Sequence, residues 1–280
     1  MKKSISIWSF VGRSVKESMA LAKEVGFEGI ELAVEEDGVT GMNSTPKDWA
    51  EIKAYADELG LAISSVATGL YWTYSLSADD PKERERAFAV ADMQFEMAKA
   101  FDADTILIVP GAVDAIFMPN FKVVPYDVVY ERAFEAITTL KDKAEKMQIH
   151  IGVENVQQWS QFLWSPLEMR DFIDKIDSPY VGAYLDVGNV RSSGYPEHWI
   201  RILGKRIRKV HFKDFRREAW NLSGHVDLLA GDVNWPEVMK AFREIGYDGW
   251  AIAEMIPPYK HHSDQIIRNT YGSVKCIMGE

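Results

Sequence analysis

The sequence predicts an α/β fold, a single (β/α)₈ barrel that spans residues 1–280. Short β-branched apolar runs alternate with amphipathic stretches that open at recognisable helix caps, and eight of each can be counted. The length of 280 residues suits this fold, because such barrels occupy about 250 residues as one domain. No linker, low-complexity tract or block of like charge divides the chain. We therefore expect one domain with its active site at the carboxyl ends of the strands.

Eight segments are predicted to be the strands of this barrel. Several are apolar on both faces, as parallel strands must be when they are covered on both sides. The segments are Ser4–Trp8, Gly29–Leu32, Ala62–Ala67, Thr105–Val109, His150–Glu154, Gly182–Asp186, Lys209–Phe212 and Trp250–Glu254.

Helix boundaries are marked by capping residues and by glycine. Four helix starts combine an N-cap side chain with an acidic residue three positions later: Ser14 with Glu17, Thr45 with Asp48, Asp80 with Glu83, and Ser165 with Glu168. Gly26 and Gly60 each precede the next strand, where glycine can end a helix in the left-handed conformation.

Three connections are long for a compact domain, and all three follow strands. They are Ala33–Thr45, Pro110–Pro125 and Asp214–Asn234. Loops after strands build the active face of a barrel, whereas loops after helices close its other end. The loop lengths therefore also indicate where the chemistry lies.

The composition favours small ligands as partners and opposes nucleic acid. The formal net charge is −10, from 32 basic and 42 acidic residues, and affinity for nucleic acid depends on neutralising phosphates. No apolar run approaches the roughly 18 residues that a membrane span needs, and the start of the chain is not typical of a signal peptide. The single cysteine, Cys276, excludes an internal disulfide. We expect a cytoplasmic protein that binds neither membrane nor nucleic acid.

Four consecutive predicted strands end in a residue that can bind a metal. These residues are Glu154, Asp186, His211 and Glu254. One such acid is more often a helix cap or an ion-pair partner, but four at one end of a barrel would be a costly cluster of negative charge without a cation. Three carboxylates and an imidazole suit one divalent ion. Mn²⁺ is the first expectation, with Mg²⁺, Co²⁺ and Zn²⁺ as alternatives.

Other side chains near the strand ends are candidates for substrate contacts. Lys213 lies two residues after His211 and should face the same side of the strand. It is predicted either to contact a substrate or a phosphate, or to pair with a buried carboxylate such as Asp214 or Asp186. Glu31 would hydrogen-bond a distal hydroxyl or anchor a loop. Trp8 and Trp72 would form an apolar wall against the substrate, unless they serve packing. His225, in the long seventh loop, is interpreted as a surface or lid residue.

Several segments in order along nearly the whole chain resemble the xylose-isomerase-like sugar isomerase/epimerase superfamily. Within it, the D-tagatose 3-epimerase and L-ribulose-5-phosphate 3-epimerase branches look most similar. The segments are Gly26–Leu32, Val153–Asn155, Leu185–Asn189, Val210–Asp214, Gly231–Trp235 and Gly246–Glu254.

The resemblance implies a ketose 3-epimerase or a related sugar isomerase. Such enzymes hold one metal with residues that match the four strand-end side chains, and their two glutamates, here Glu154 and Glu254, also serve as the acid/base pair for an enediolate mechanism. The resemblance implies substrate contacts at Arg217, with Arg216 as the alternate, and at Asn189. Free-sugar 3-epimerases carry histidine where this chain has Asn189. It also implies a dimer or tetramer that acts on a sugar or sugar phosphate.

Three other functions compete with epimerisation. A lyase or dehydratase acting on keto-sugars or keto-inositols would begin with the same proton abstraction. A phosphodiesterase on this barrel would need several zinc ions and a basic groove, which six histidines and a charge of −10 do not favour. A sugar-binding barrel without catalysis would not need both glutamates.

Overall fold

The computed structural model describes residues 1–280 as one closed barrel of eight parallel strands. Around the barrel the strands follow the order β1, β10, β7, β6, β5, β4, β3, β2. The predicted (β/α)₈ fold is therefore confirmed. The strands are β1 (Lys2–Ser6), β2 (Gly29–Val34), β3 (Ala62–Thr68), β4 (Thr105–Ile108), β5 (His150–Glu154), β6 (Val181–Asp186), β7 (Ile207–Phe212) and β10 (Trp250–Ala253). The remaining strands, β8 (Asp214–Phe215) and β9 (His225–Val226), form a small antiparallel hairpin after β7.

Eight helices cover the barrel, and two shorter ones lie directly after β5 and β6. The covering helices are α1 (Val15–Val25), α2 (Pro46–Leu59), α3 (Pro81–Ala100), α4 (Tyr126–Met147), α6 (Pro166–Ile176), α8 (Pro196–Leu203), α9 (Trp235–Ile245) and α10 (Ser263–Met278). The short ones are α5 (Gln157–Ser160) and α7 (Val187–Ser193). No helix combines the length and the apolarity that crossing a membrane requires.

The predicted caps are present at α1 and α2. The Ser14 side chain accepts from the backbone N–H of Glu17 while Glu17 accepts from the backbone of Ser14, and Thr45 and Asp48 form the same reciprocal pair. At the end of α1, Gly26 has φ 118°, and a Cβ there would lie 2.7 Å from the Tyr271 ring. Both the backbone conformation and the close ring require glycine.

The first strand differs from its prediction. It ends at Ser6, and Ile7–Ser9 form a turn of 3₁₀-helix. The turn brings the Ser9 hydroxyl to accept a hydrogen bond from the backbone N–H of Met255, at 3.0 Å. Trp8 therefore lies in this turn rather than at a strand end. Similarly, β10 ends at Ala253, so Glu254 is the first residue beyond its strand.

Candidate metal and catalytic centre

The four predicted metal-binding side chains meet at the carboxyl end of the barrel. Glu154 and Asp186 end β5 and β6, His211 lies near the end of β7, and Glu254 follows β10. The Nδ1 atom of His211 lies 3.6 Å from a Glu154 oxygen, 3.9 Å from Asp186 and 3.5 Å from Glu254. All four residues are at most 8% exposed. Strands that are neighbours in the barrel therefore bring three carboxylates within 4 Å of one imidazole nitrogen, His211 Nδ1.

The donor atoms fit a divalent cation. Ligand atoms about 2.1 Å from one ion lie roughly 3–4 Å from each other, which is the range of the three distances from Nδ1. The donor atoms of Glu154, Asp186 and His211 all lie within 4.8 Å of one another. Two of the buried polar atoms, Asp186 Oδ2 and His211 Nδ1, have no hydrogen-bond partner in the protein. Such buried atoms are costly unless something binds them, and a metal would bind both.

Glu31 holds the His211 ring from behind. Its side chain is fully buried, and its Oε1 accepts a hydrogen bond from His211 Nε2 at 2.9 Å. The hydroxyls of Ser65 and Tyr184 donate to the other oxygen, the first at 2.7 Å. Because a carboxylate only accepts, Nε2 carries a proton, so Nδ1 is the nitrogen whose lone pair would bind a metal. The contacts of Glu31 in the structure are thus with His211, Ser65 and Tyr184, and its hydrogen bond to a substrate hydroxyl stays a prediction.

Lys213 pairs with the cluster. Its Nζ donates to Glu254 Oε2 at 2.7 Å and lies 3.8 Å from Asp186 Oδ2. The predicted alternative of a buried carboxylate partner is what the structure shows, with Glu254 as the nearest partner. Asp214, which was also a candidate partner, instead accepts hydrogen bonds from backbone N–H groups of the loop after β7.

The buried charges shift one another's ionisation. Burial raises the pKa of Asp186 to about 7, and it also raises the pKa of Glu154. Burial acts on Glu254 in the same direction, but the charges of Lys213 and His211 outweigh it and lower its pKa to about 2. Burial lowers the pKa of His211, yet Glu31 and Glu254 together raise it well above its usual value. The protein alone thus leaves two of the three carboxylates, those of Asp186 and Glu154, hard to ionise, as expected where a cation supplies missing positive charge.

Asp214 organises the long loop after β7. Its carboxylate accepts from the backbone N–H groups of Phe215, Leu229 and Val233 and from the Trp235 indole, at 2.8, 3.0, 3.2 and 2.9 Å. One buried side chain therefore fixes both ends of the loop. His225, in the hairpin of this loop, is 8% exposed, so its interpretation as a surface residue is wrong.

Asn189 and Arg217, two further predicted substrate residues, each contact other groups of the protein. The amide of Asn189 is 3% exposed, accepts from the Trp159 indole at 2.9 Å and donates to the Asn155 carbonyl at 3.2 Å. Arg217 is half-buried, with its guanidinium 5.9 Å from the centre of the Trp220 ring. Their contacts with a sugar stay predictions.

Both predicted aromatic wall residues are half-buried and already have partners. The Trp8 indole donates to Glu35 at 3.3 Å. Trp72 packs edge-on against Phe117, with ring centres 4.8 Å apart. The structure thus shows packing for both, and a sugar contact for either stays a prediction.

Sequence reasoning missed two side chains that support the centre. Asn155 accepts from the backbone N–H of Asp186 at 2.7 Å and donates to its carbonyl at 3.0 Å, which joins the ends of β5 and β6. Tyr184 stands two residues before Asp186 and donates to Glu31. Side chains alternate along a strand, so Tyr184 faces the same side as Asp186. This alternation could have identified Tyr184 from the sequence.

A family model described as "Xylose isomerase-like TIM barrel" matches residues 19–270. The chain is 24% identical over 256 residues to the putative L-ribulose-5-phosphate 3-epimerase SgbU of Escherichia coli, covering 85% of this chain and 82% of that protein. It is 25% identical over 276 residues to the inosose dehydratase of Lacticaseibacillus casei, covering 87% of each.

The fold is similar to that of a solved D-psicose 3-epimerase from Clostridium cellulolyticum H10, whose crystal structure contains D-tagatose. The two superpose with a TM-score of 0.81, at 17% sequence identity, over 100% of this chain and 99% of the other. At this identity the likeness concerns the fold.

Proposed function

Because the chain belongs to the xylose isomerase-like TIM barrel family, we propose that it is a divalent-metal-dependent sugar isomerase that epimerises ketoses at C3. The observation that supports this most is the meeting of Glu154, Asp186 and Glu254 around the unpartnered Nδ1 of His211. In this proposal the four residues hold the metal and the two glutamates also move protons.

The positions of the glutamates support the proton transfer. Around the barrel, β5 and β10 flank β6 and β7, so Glu154 and Glu254 stand on the two sides of the centre with Asp186 and His211 between them. One carboxylate can take the C3 proton from one face of the sugar, leaving an enediolate, and the other can return a proton to the opposite face. A bound divalent ion would polarise the carbonyl and stabilise the negative charge.

We propose Mn²⁺ as the native ion, since a mainly oxygen-donor set with one imidazole suits it, and Mg²⁺, Co²⁺ and Zn²⁺ are the alternatives to test. The substrate class is a sugar or sugar phosphate. A cytoplasmic location and a homodimer or homotetramer remain predictions from the sequence.

The test is turnover in D₂O. Mn²⁺-loaded protein is incubated with D-tagatose, D-fructose and L-ribulose 5-phosphate, and products are analysed by NMR and mass spectrometry. Epimerisation predicts an epimer that carries one solvent deuterium at C3. Metal-free protein and Glu154→Gln are the controls, and both should be inactive. Wild-type protein that turns over no ketose would refute the proposal.

Dehydration is a second candidate because one relative is an inosose dehydratase. It would use the same removal of a proton next to a carbonyl, followed by loss of a β-hydroxyl. The same mass spectra distinguish the two reactions, since dehydration gives a product lighter by one water. Inosose should therefore be included among the substrates.

A further inference from the structure

The side chain of Asn155 extends the sheet where strand β5 stops. Strands β5 and β6 pair only as far as Glu154 and Tyr184, two residues short of Asp186. Beyond that pair, the fully buried Asn155 amide accepts from the backbone N–H of Asp186 at 2.7 Å and donates to its carbonyl at 3.0 Å. A side-chain amide offers the donor and the acceptor of a peptide group. Asn155 therefore takes the place of the peptide that a longer β5 would supply.

The two oxygens of the Asp186 carboxylate have different surroundings. Oδ1 accepts from the backbone N–H of Asn189 at 2.7 Å and so caps helix α7. Oδ2 is buried without a hydrogen-bond partner and lies 3.9 Å from His211 Nδ1. The cap holds one oxygen, and the two hydrogen bonds of Asn155 hold the backbone. The direction in which Oδ2 points is therefore fixed before any ion binds.

We propose that Asn155 is a positioning residue of the metal centre, which holds Asp186 so that Oδ2 alone is presented to the ion. This inference rests on the proposed function and adds to it a residue that acts through a ligand. If Asp186 were free to turn, part of its order would have to be gained when the ion binds, and that would weaken binding. Loss of a group that orients a ligand typically lowers metal affinity about 10- to 100-fold.

Gln94 provides a matched control elsewhere in the barrel. It is also a fully buried amide, and its Nε2 donates to the carbonyls of Val66 in β3 and Leu107 in β4, at 3.1 and 2.8 Å. It joins two neighbouring strands as Asn155 does, but β3 and β4 carry none of the proposed ligands. Loss of either amide leaves buried backbone groups unpaired and should lower stability, whereas only the loss of Asn155 should alter the metal centre.

The test compares Asn155→Leu with Gln94→Leu, each of which replaces an amide with an apolar side chain. Calorimetric titration of metal-free protein with Mn²⁺ gives the dissociation constant, the visible spectrum of the Co²⁺ form reports the ligands, and urea unfolding gives the stability. We expect Asn155→Leu to bind Mn²⁺ about tenfold or more weakly with a changed Co²⁺ spectrum. Gln94→Leu should lose stability yet keep the Mn²⁺ affinity within about twofold and the Co²⁺ spectrum of wild type.

Asn155→Ser is the second variant, because its hydroxyl can serve only one of the two backbone groups at a time. Its Mn²⁺ affinity should fall between those of Asn155→Leu and wild type, and it decides the test if Asn155→Leu does not fold. A folded Asn155 variant that matches wild type in Mn²⁺ affinity and Co²⁺ spectrum would overturn the inference. An equal loss of affinity in Gln94→Leu would also overturn it, since the cause would then be a general loosening of the barrel.

The outcome is separate from that of the proposed reaction. None of these measurements needs a sugar, so they decide the role of Asn155 even if wild type turns over no ketose. Wild type that binds none of Mn²⁺, Mg²⁺, Co²⁺ and Zn²⁺ would instead refute the metal-dependent function, and the inference with it.

Discussion

Replacing Glu31 with glutamine tests whether this carboxylate orients His211 for a metal. The substitution keeps the size of the side chain, which is fully buried, but it replaces the charged acceptor of the 2.9 Å hydrogen bond from His211 Nε2. The Ser65 and Tyr184 hydroxyls can turn to accept from the new amide, so we expect the variant to fold. What it loses is the charge that fixes the protonated nitrogen of the imidazole.

The expected loss of metal affinity follows from the hydrogen bond of Glu31 to the ligand His211. Loss of such a partner typically weakens metal binding about 10- to 100-fold, or roughly 1.4–2.7 kcal/mol. Calorimetric titration of metal-free protein with Mn²⁺ measures the dissociation constant, and the visible spectrum of the Co²⁺ form reports any change in the ligands.

The control is Glu28→Gln, one residue before β2, where the carboxylate is half-exposed and lies 3.7 Å from Lys3. It should bind Mn²⁺ as wild type does. A folded Glu31→Gln protein whose Mn²⁺ affinity stays within about twofold of wild type would show that Glu31 does not orient the ligand.

Three further results are expected. Glu154→Gln and Glu254→Gln should each lower kcat by at least 100-fold in folded protein, measured on whichever ketose wild type converts; activity retained in either would remove it from the acid/base pair. Mn²⁺ should raise the Tm of metal-free protein by mass action, and an unchanged Tm at saturating Mn²⁺ would contradict a site in the folded state. Asp214→Asn should destabilise the protein by about 2–3 kcal/mol in urea unfolding, because an amide cannot accept from all four donors that the carboxylate serves; a loss below about 0.5 kcal/mol would show that the loop does not depend on it.

The sequence predicts the barrel and the central cluster well because both depend on local patterns. Capping boxes at Ser14 and Thr45 locate helix starts, and period-two alternation locates strands. Parallel strands in a closed barrel then bring their ends together, so residues such as Glu154 and His211 meet although 57 positions separate them in the chain.

The positions that sequence reasoning misjudged depend on contacts between distant segments. Glu31 bonds a side chain 180 residues away, and no local pattern indicates that pairing. His225 lies in a loop without periodicity, and its burial results from packing against the rings of Phe215 and Trp159. The early end of β1 reflects the hydrogen bond from Met255 to Ser9, 246 residues apart.

The hydrogen bond between Glu31 and His211 also crosses the interior of the barrel, since β1 and β10 stand between β2 and β7 in the sheet. This hydrogen bond restrains β2 relative to β7, and a metal that fixes His211 would strengthen the restraint. Strand β2 supplies no ligand, yet metal binding should make it more rigid. Slower amide hydrogen exchange in Gly29–Val34 on metal binding would show this coupling. Metal uptake and the rigidity of the whole barrel would thus be a single cooperative property.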